Sequence, residues 1–100
     1  MHLQHDQQVV AHIAAEQLRR NLAGLGVVAD LHSDYGLALL SVWTDLVVWT
    51  DGHCFRWWAG RTSIQGRKVY AFCPANDTAT AARRVARRYV ELRTSDDAQS

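Results

Sequence analysis

The spacing of apolar residues changes character along this chain. Over residues 6–23 they recur every third or fourth position. Leu3, Val10, Ile13, Ala14, Leu18 and Leu22 fall on one helical stripe, while Gln8, His12, Glu16 and Arg19 face away. Two polar residues, Gln17 and Asn21, sit inside the stripe. Asp6 has the chemistry of an N-cap, and Gly24, reinforced by Gly26, that of a helix stop. From residue 27 the pattern shortens to alternation or to continuous apolar runs, which predicts strands over 27–32, 37–43, 46–50, 53–59 and 69–73, the last ended by Pro74. Turn chemistry separates them: Ser33-Asp34-Tyr35-Gly36, then Thr44-Asp45, then Asp51-Gly52. Asp51-Gly52 is the stronger hairpin signal, because neither Thr44 nor Asp45 takes positive φ as readily as Gly or Asn. Residues 60–68 read as a polar loop. The caps Asn76, Asp77 and Thr78 start a second helix that runs to about residue 93, with Ala79, Ala82, Val85, Ala86, Tyr89 and Leu92 as its stripe, and residues 94–100 read as a flexible tail. The predicted fold is α+β: one domain over residues 1–93, an antiparallel meander of four to five strands flanked by an N-terminal and a C-terminal helix.

The central strands carry apolar residues on both faces. A two-residue loop at Asp51-Gly52 pairs Thr50 with His53, Trp49 with Cys54 and Val48 with Phe55. Paired residues share a face. Leu46, Val48, Phe55 and Trp57 then form one face, and Val47, Trp49, Cys54, Arg56 and Trp58 the other. A second two-residue turn at Thr44-Asp45 adds Leu37, Leu39 and Trp43 to the first face and Ala38, Leu40 and Val42 to the second. A one-residue slip at that weaker turn exchanges the sides of the second group, and both alternating sets are apolar. Antiparallel sheets commonly leave one face to water, so this one needs a cover on each side. One helix per face supplies it within a monomer. Two helices on one face leave a patch of Leu40, Val42, Val47, Trp49, Arg56 and Trp58, larger than monomers usually present to water. The favoured expectation is a homodimer formed through that patch or through a strand edge.

Composition narrows the function classes. Of the 100 residues, 48% are hydrophobic and 21% charged, which is globular and not disordered. The net charge of +1 gives little bulk attraction to nucleic acid or anionic lipid. The N-terminus lacks the basic start and apolar run of a signal peptide, and no run reaches membrane-spanning length, so a cytoplasmic location is expected, with Cys54 and Cys73 reduced.

The candidate chemistry is sparse. Arg83, Arg84, Arg87 and Arg88 fall within about 140° of the second helix and form a basic face able to meet phosphates. The ordinary alternative is a solvated face in which Glu91 pairs with Arg87 or Arg88. Arg56 between Trp49 and Trp58 suggests a cation stacked on aromatic rings. Gln17 and Asn21 are the groups that would orient a small ligand held between helix and sheet. His5 and His12 share a helical face without a further ligand. Strand alternation sends His53 and Cys54 to opposite faces, so no metal site is expected. The loop Gly60-Arg61-Thr62-Ser63 with Gly66-Arg67-Lys68 lacks phosphate-cradle spacing. Ser41, Cys54 and Cys73 have neither a base nor an orienting acid in evident reach, so no enzyme activity and no cofactor are expected.

The segment VWTDGHCFRWWAG and the closing ATAARRVARRYVELR resemble the short, Arg- and Ala-rich uncharacterised proteins of actinobacteria, a resemblance that implies no activity. The order helix, strands, helix is also similar to that of the dimeric chaperones of type III secretion, in layout alone. The function expected is that of a small cytoplasmic protein-interaction module, adaptor, chaperone-like or regulatory, acting as a homodimer. A nucleic-acid-associated regulator and a small-ligand sensor are the alternatives.

Overall fold

The structure, a computed structural model, describes residues 3–34 and 36–99, with side chains for 8–33 and 36–95. Its elements follow in the order α1 (Leu3–Gly24), β1 (Asp30–Asp34), β2 (Leu37–Trp43), β3 (Leu46–Thr50), β4 (Cys54–Thr62), β5 (Lys68–Pro74) and α2 (Thr78–Gln99). The five strands form one antiparallel sheet in the order β1-β2-β3-β4-β5, the expected meander. The fold is α+β, a sheet with an N-terminal and a C-terminal helix.

Both helices lie on the same side of the sheet. α1 covers β1, β2 and β3, and α2 packs beside it and against β5. Small residues allow this close approach. α1 buries Ala11, Ala14, Ala15, Leu18 and Leu22, and α2 buries Ala81, Ala82 and Val85. Val10 and Ile13, expected in the buried stripe of α1, are exposed, because alanines rather than larger residues make the seam. Leu3 and Asp6 have no described side chains, but the backbone of α1 already begins at Leu3, which places Asp6 inside the helix rather than at its cap.

The stop of α1 is Gly26. The Val27 N–H donates to the Leu22 carbonyl (2.9 Å) and the Gly26 N–H to the Ala23 carbonyl (3.0 Å), with Gly26 at φ 82. This is the paired bonding of a helix end closed by a left-handed residue. At the start of α2, the Thr80 N–H donates to the Asp77 Oδ1 (3.4 Å), as a capping residue requires. α2 continues to Gln99, past residue 93 where a tail is predicted. Residues 94–99 contain no Pro or Gly, and extending an existing helix fixes one residue per new hydrogen bond. The preceding turn is also anchored. The Arg93 guanidinium lies 5.7 Å from the Trp43 ring and 5.5 Å from that of Tyr89, and these two rings meet edge to face at 5.6 Å.

Two departures in register decide what each face carries. Thr50 pairs with Phe55, not with His53, so the β3–β4 connection is two residues longer on the β4 side than expected. The Asp51 Oδ1 accepts from the N–H groups of both His53 (2.9 Å) and Cys54 (3.2 Å), which draws those residues into the turn. A shift of two preserves the faces. Leu46, Val48, Phe55 and Trp57 are buried beneath the helices as predicted. In the β2–β3 hairpin Trp43 does pair with Leu46 across Thr44-Asp45, with Asp45 taking φ 64. A bulge between Ser41 and Trp43 then inserts one residue in β2, so that Ser41 pairs with Val47 and Leu40 with Val48. That single insertion reverses the face of everything in β2 ahead of it. Ala38, Leu40 and Val42 enter the core, and Leu37 and Leu39 face away from the helices.

Candidate interaction surface

With both helices on one side, the other face of the sheet is bare. The pairings align residues across it. His32 pairs with Leu39, Leu39 with Trp49, Trp49 with Arg56 and Arg56 with Phe72, one row crossing all five strands. The next row starts with Asp30, Ser41 and Val47 and ends with the pair Trp58 and Tyr70. Trp49, Tyr70 and Phe72 are 45%, 48% and 57% exposed. Isolated exposed apolar residues are ordinary, but a contiguous set of aromatic rings on one sheet face is not. The Trp49 ring of β3 and the Tyr70 and Phe72 rings of β5 border a shallow concavity of about 490 Å³ whose lining also includes Leu37, Asp51, Cys54 and Arg56.

On the β3–β5 side of this face several polar groups are engaged. The Arg56 guanidinium lies 5.2 Å from the Phe72 ring. Stacking on Trp49 and Trp58 is the arrangement expected from sequence, and the β4–β5 pairing replaces it by placing Phe72 directly across from Arg56. The Lys68 Nζ lies 4.8 Å from the Trp58 ring, and the Trp58 Nε1–H donates to the Arg61 carbonyl at 3.0 Å. Burial pushes the Asp51 carboxyl up, but the backbone N–H groups of His53 and Cys54 outweigh it and hold the carboxyl below the ordinary carboxylate range. Asp51 therefore closes the turn as a charged acceptor.

Of the six residues expected to form the apolar patch, Val47, Trp49, Arg56 and Trp58 lie on this face. Leu40 and Val42 do not. They are 1% and 6% exposed beneath the helices, moved there by the β2 bulge. Their places on the face are taken by Leu37 and Leu39. The contribution of β5 was also missed. Its sequence, KVYAFCP, alternates so that Tyr70 and Phe72 share one side and Ala71 and Cys73 the other, and that alternation is the signal that identifies them.

The four arginines of α2 do not form one free basic face. Arg84 turns onto the sheet edge, where Nη1 donates to the Phe72 carbonyl at 2.6 Å and the guanidinium lies 5.0 Å from the Trp57 ring. Arg88 is half-buried with its guanidinium over Gly60. Arg83 donates to the Thr80 hydroxyl at 3.1 Å, and Arg87 is exposed. Gln17 and Asn21 are exposed rather than set in the helix–sheet seam, and the Asn21 amide donates back to the Gln17 carbonyl at 2.9 Å. They border two different surface clefts, Gln17 one beside Gly52 and Pro74, and Asn21 one beside Leu25 and Arg83.

His12 bonds the Ser33 hydroxyl at 3.2 Å, and the His5 side chain lies outside the described residues. Among the described residues no three of His, Cys, Asp or Glu come together to hold a metal. Cys54 lies on the bare face and Cys73 on the buried one, where its Sγ–H donates to the Asp77 carbonyl at 3.6 Å. Both are free thiols. Among the described residues no helix is long and apolar enough to cross a membrane.

Compared with family models, with curated proteins and with solved structures, the chain matches none.

Proposed function

We propose that this chain is a small cytoplasmic protein-interaction module that works as a homodimer through the bare face of its sheet, in an adaptor, chaperone-like or regulatory role. One observation carries the reading: α1 and α2 share a side, which leaves Leu37, Trp49, Tyr70 and Phe72 exposed together on the other. A large aromatic side chain buries roughly 150–250 Å² in full, so three rings about half exposed present on the order of 300 Å² before Leu37, Leu39, Val47 and Trp58 are added. With them the face falls within the range of about 300–600 Å² spanned by a monomer's largest apolar patch, which is often functional, and a polar rim would have to supply the rest of the roughly 800 Å² per partner of a stable interface. Interfaces of this kind concentrate Trp, Tyr, Phe and Arg at their centre, the residue types found here. The basic helix supports nucleic-acid binding less well, since Arg84 and Arg88 are drawn to the sheet.

The test is sedimentation velocity on the intact chain and on Trp58→Arg and Trp49→Asp. Both substitutions put a charge on the face without touching the helix side. The expected result is a tenfold or greater weakening of self-association with unchanged far-ultraviolet circular dichroism. Unaltered assembly in both variants rejects the face as the contact.

A further inference from the structure

The charges at the two edges of the bare face are opposite in sign, with Asp51 of the β3–β4 turn between them, its carboxylate held by the N–H groups of His53 and Cys54. Asp30 and His32 lie exposed on β1, at one edge. The cations lie at the other side, Arg56 on β4 and Lys68 on β5. The Lys68 ammonium leans over the Trp58 ring, which puts its charge on the row that Asp30 begins. That row runs from Asp30 through Ser41 and Val47, and Val47 and Trp58 each lie two residues beyond the pair Trp49 and Arg56. An acidic edge and a basic edge joined by an apolar centre form a surface complementary to a turned copy of itself.

We propose that a second copy of this chain covers the face with its twofold axis parallel to the strands and running along β3. This inference rests on the homodimer reading and specifies its geometry. Rotation about that axis lays β1 of each copy over β5 of the other and β2 over β4, with every row over itself. Asp30 of one copy meets Lys68 of the other, twice in the assembly. Trp49 and Val47 meet their own symmetry mates at the centre, where water is excluded most completely. Sheets stacked face to face keep their strands within about 30° of one another, which this axis allows.

The competing twofold axis runs across the strands and lays each strand over its own mate. Placed on the Trp49 row, it sets Arg56 against Arg56. At any height it leaves Asp30 and Lys68 separated by the width of the sheet, four strand spacings or about 19 Å. Arg56 facing Arg56 opposes association, whereas the axis along β3 sets Asp30 against Lys68 and leaves near itself only the Asp51 carboxylate, already held by the N–H groups of its own turn.

A charge-reversal cycle tests the orientation. The dimer dissociation constants of the intact chain, Asp30→Lys, Lys68→Asp and the double variant are measured by sedimentation at low and at moderate salt. Asp30 and Lys68 are both exposed, and coincident thermal melts confirm that the variants fold. Each single reversal is expected to weaken the dimer about five- to tenfold at low salt, and the double variant to return within about twofold of the intact chain. Single effects that are absent, or that add in the double variant while the intact chain still dimerises, overturn the orientation and leave the homodimer standing. An intact chain that stays monomeric removes the homodimer itself.

Discussion

At the level of single residues, two glycines separate conformation from space. Gly26 closes α1 at φ 82 with nothing within 4 Å of the position a Cβ would take. Gly52 turns the β3–β4 connection at φ 97, and there a Cβ would run into Val10 Cγ1 and the backbone of Ala11 in α1. Gly26→Ala should therefore cost only the left-handed backbone penalty, about 1–2 kcal/mol. Gly52→Ala should cost more than that, because α1 must lift off the turn. Urea unfolding of the two variants under one set of conditions checks the order, and equal losses would show that α1 does not rest on Gly52. The sequence marks both positions as turn glycines. Only the packing of α1 tells them apart, because a long-range contact leaves no trace in local residue type.

The elements show where local pattern suffices and where it fails. Strand number, order and the Asp51-Gly52 connection follow from turn residues and alternation, and a two-residue error in the β3–β4 register leaves every face unchanged. The β2 bulge has the opposite effect. In LALLSVW either alternating set is apolar enough to be the core, so hydropathy alone does not choose between Leu39 and Leu40. The choice is made by pairing with β3, and one inserted residue settles it for Leu40. Leu40→Ala should accordingly cost about 2–5 kcal/mol, as a cavity in a packed core does. Leu39→Ala should leave monomer stability nearly unchanged and act on self-association. Chemical denaturation at a concentration below dimer formation separates the two, and a larger loss for Leu39→Ala would contradict the bulge. α2 teaches a related lesson. Its arginines fall on one arc by periodicity, yet Arg84 and Arg88 bend to the sheet, since long side chains reach whatever acceptor or ring lies beside the helix.

At the scale of the whole molecule, the two helices and the sheet make two layers with a single core between them. The outer sheet face is left with the rings of Trp49, Tyr70 and Phe72 and no helix to cover them. That a bare apolar face was possible is readable from the chain, since both faces of the central hairpins are greasy. Which residues form it depends on the bulge and on β5, and whether it stays bare depends on the alanine seam that lets α1 and α2 lie side by side. The proposed homodimer requires that face to be buried in solution by a second copy. Light scattering of the intact chain across a concentration series measures this most directly. The molar mass should rise with concentration to a plateau at twice the 11.3 kDa of one chain. A mass that stays at 11.3 kDa up to millimolar concentration would contradict the homodimer.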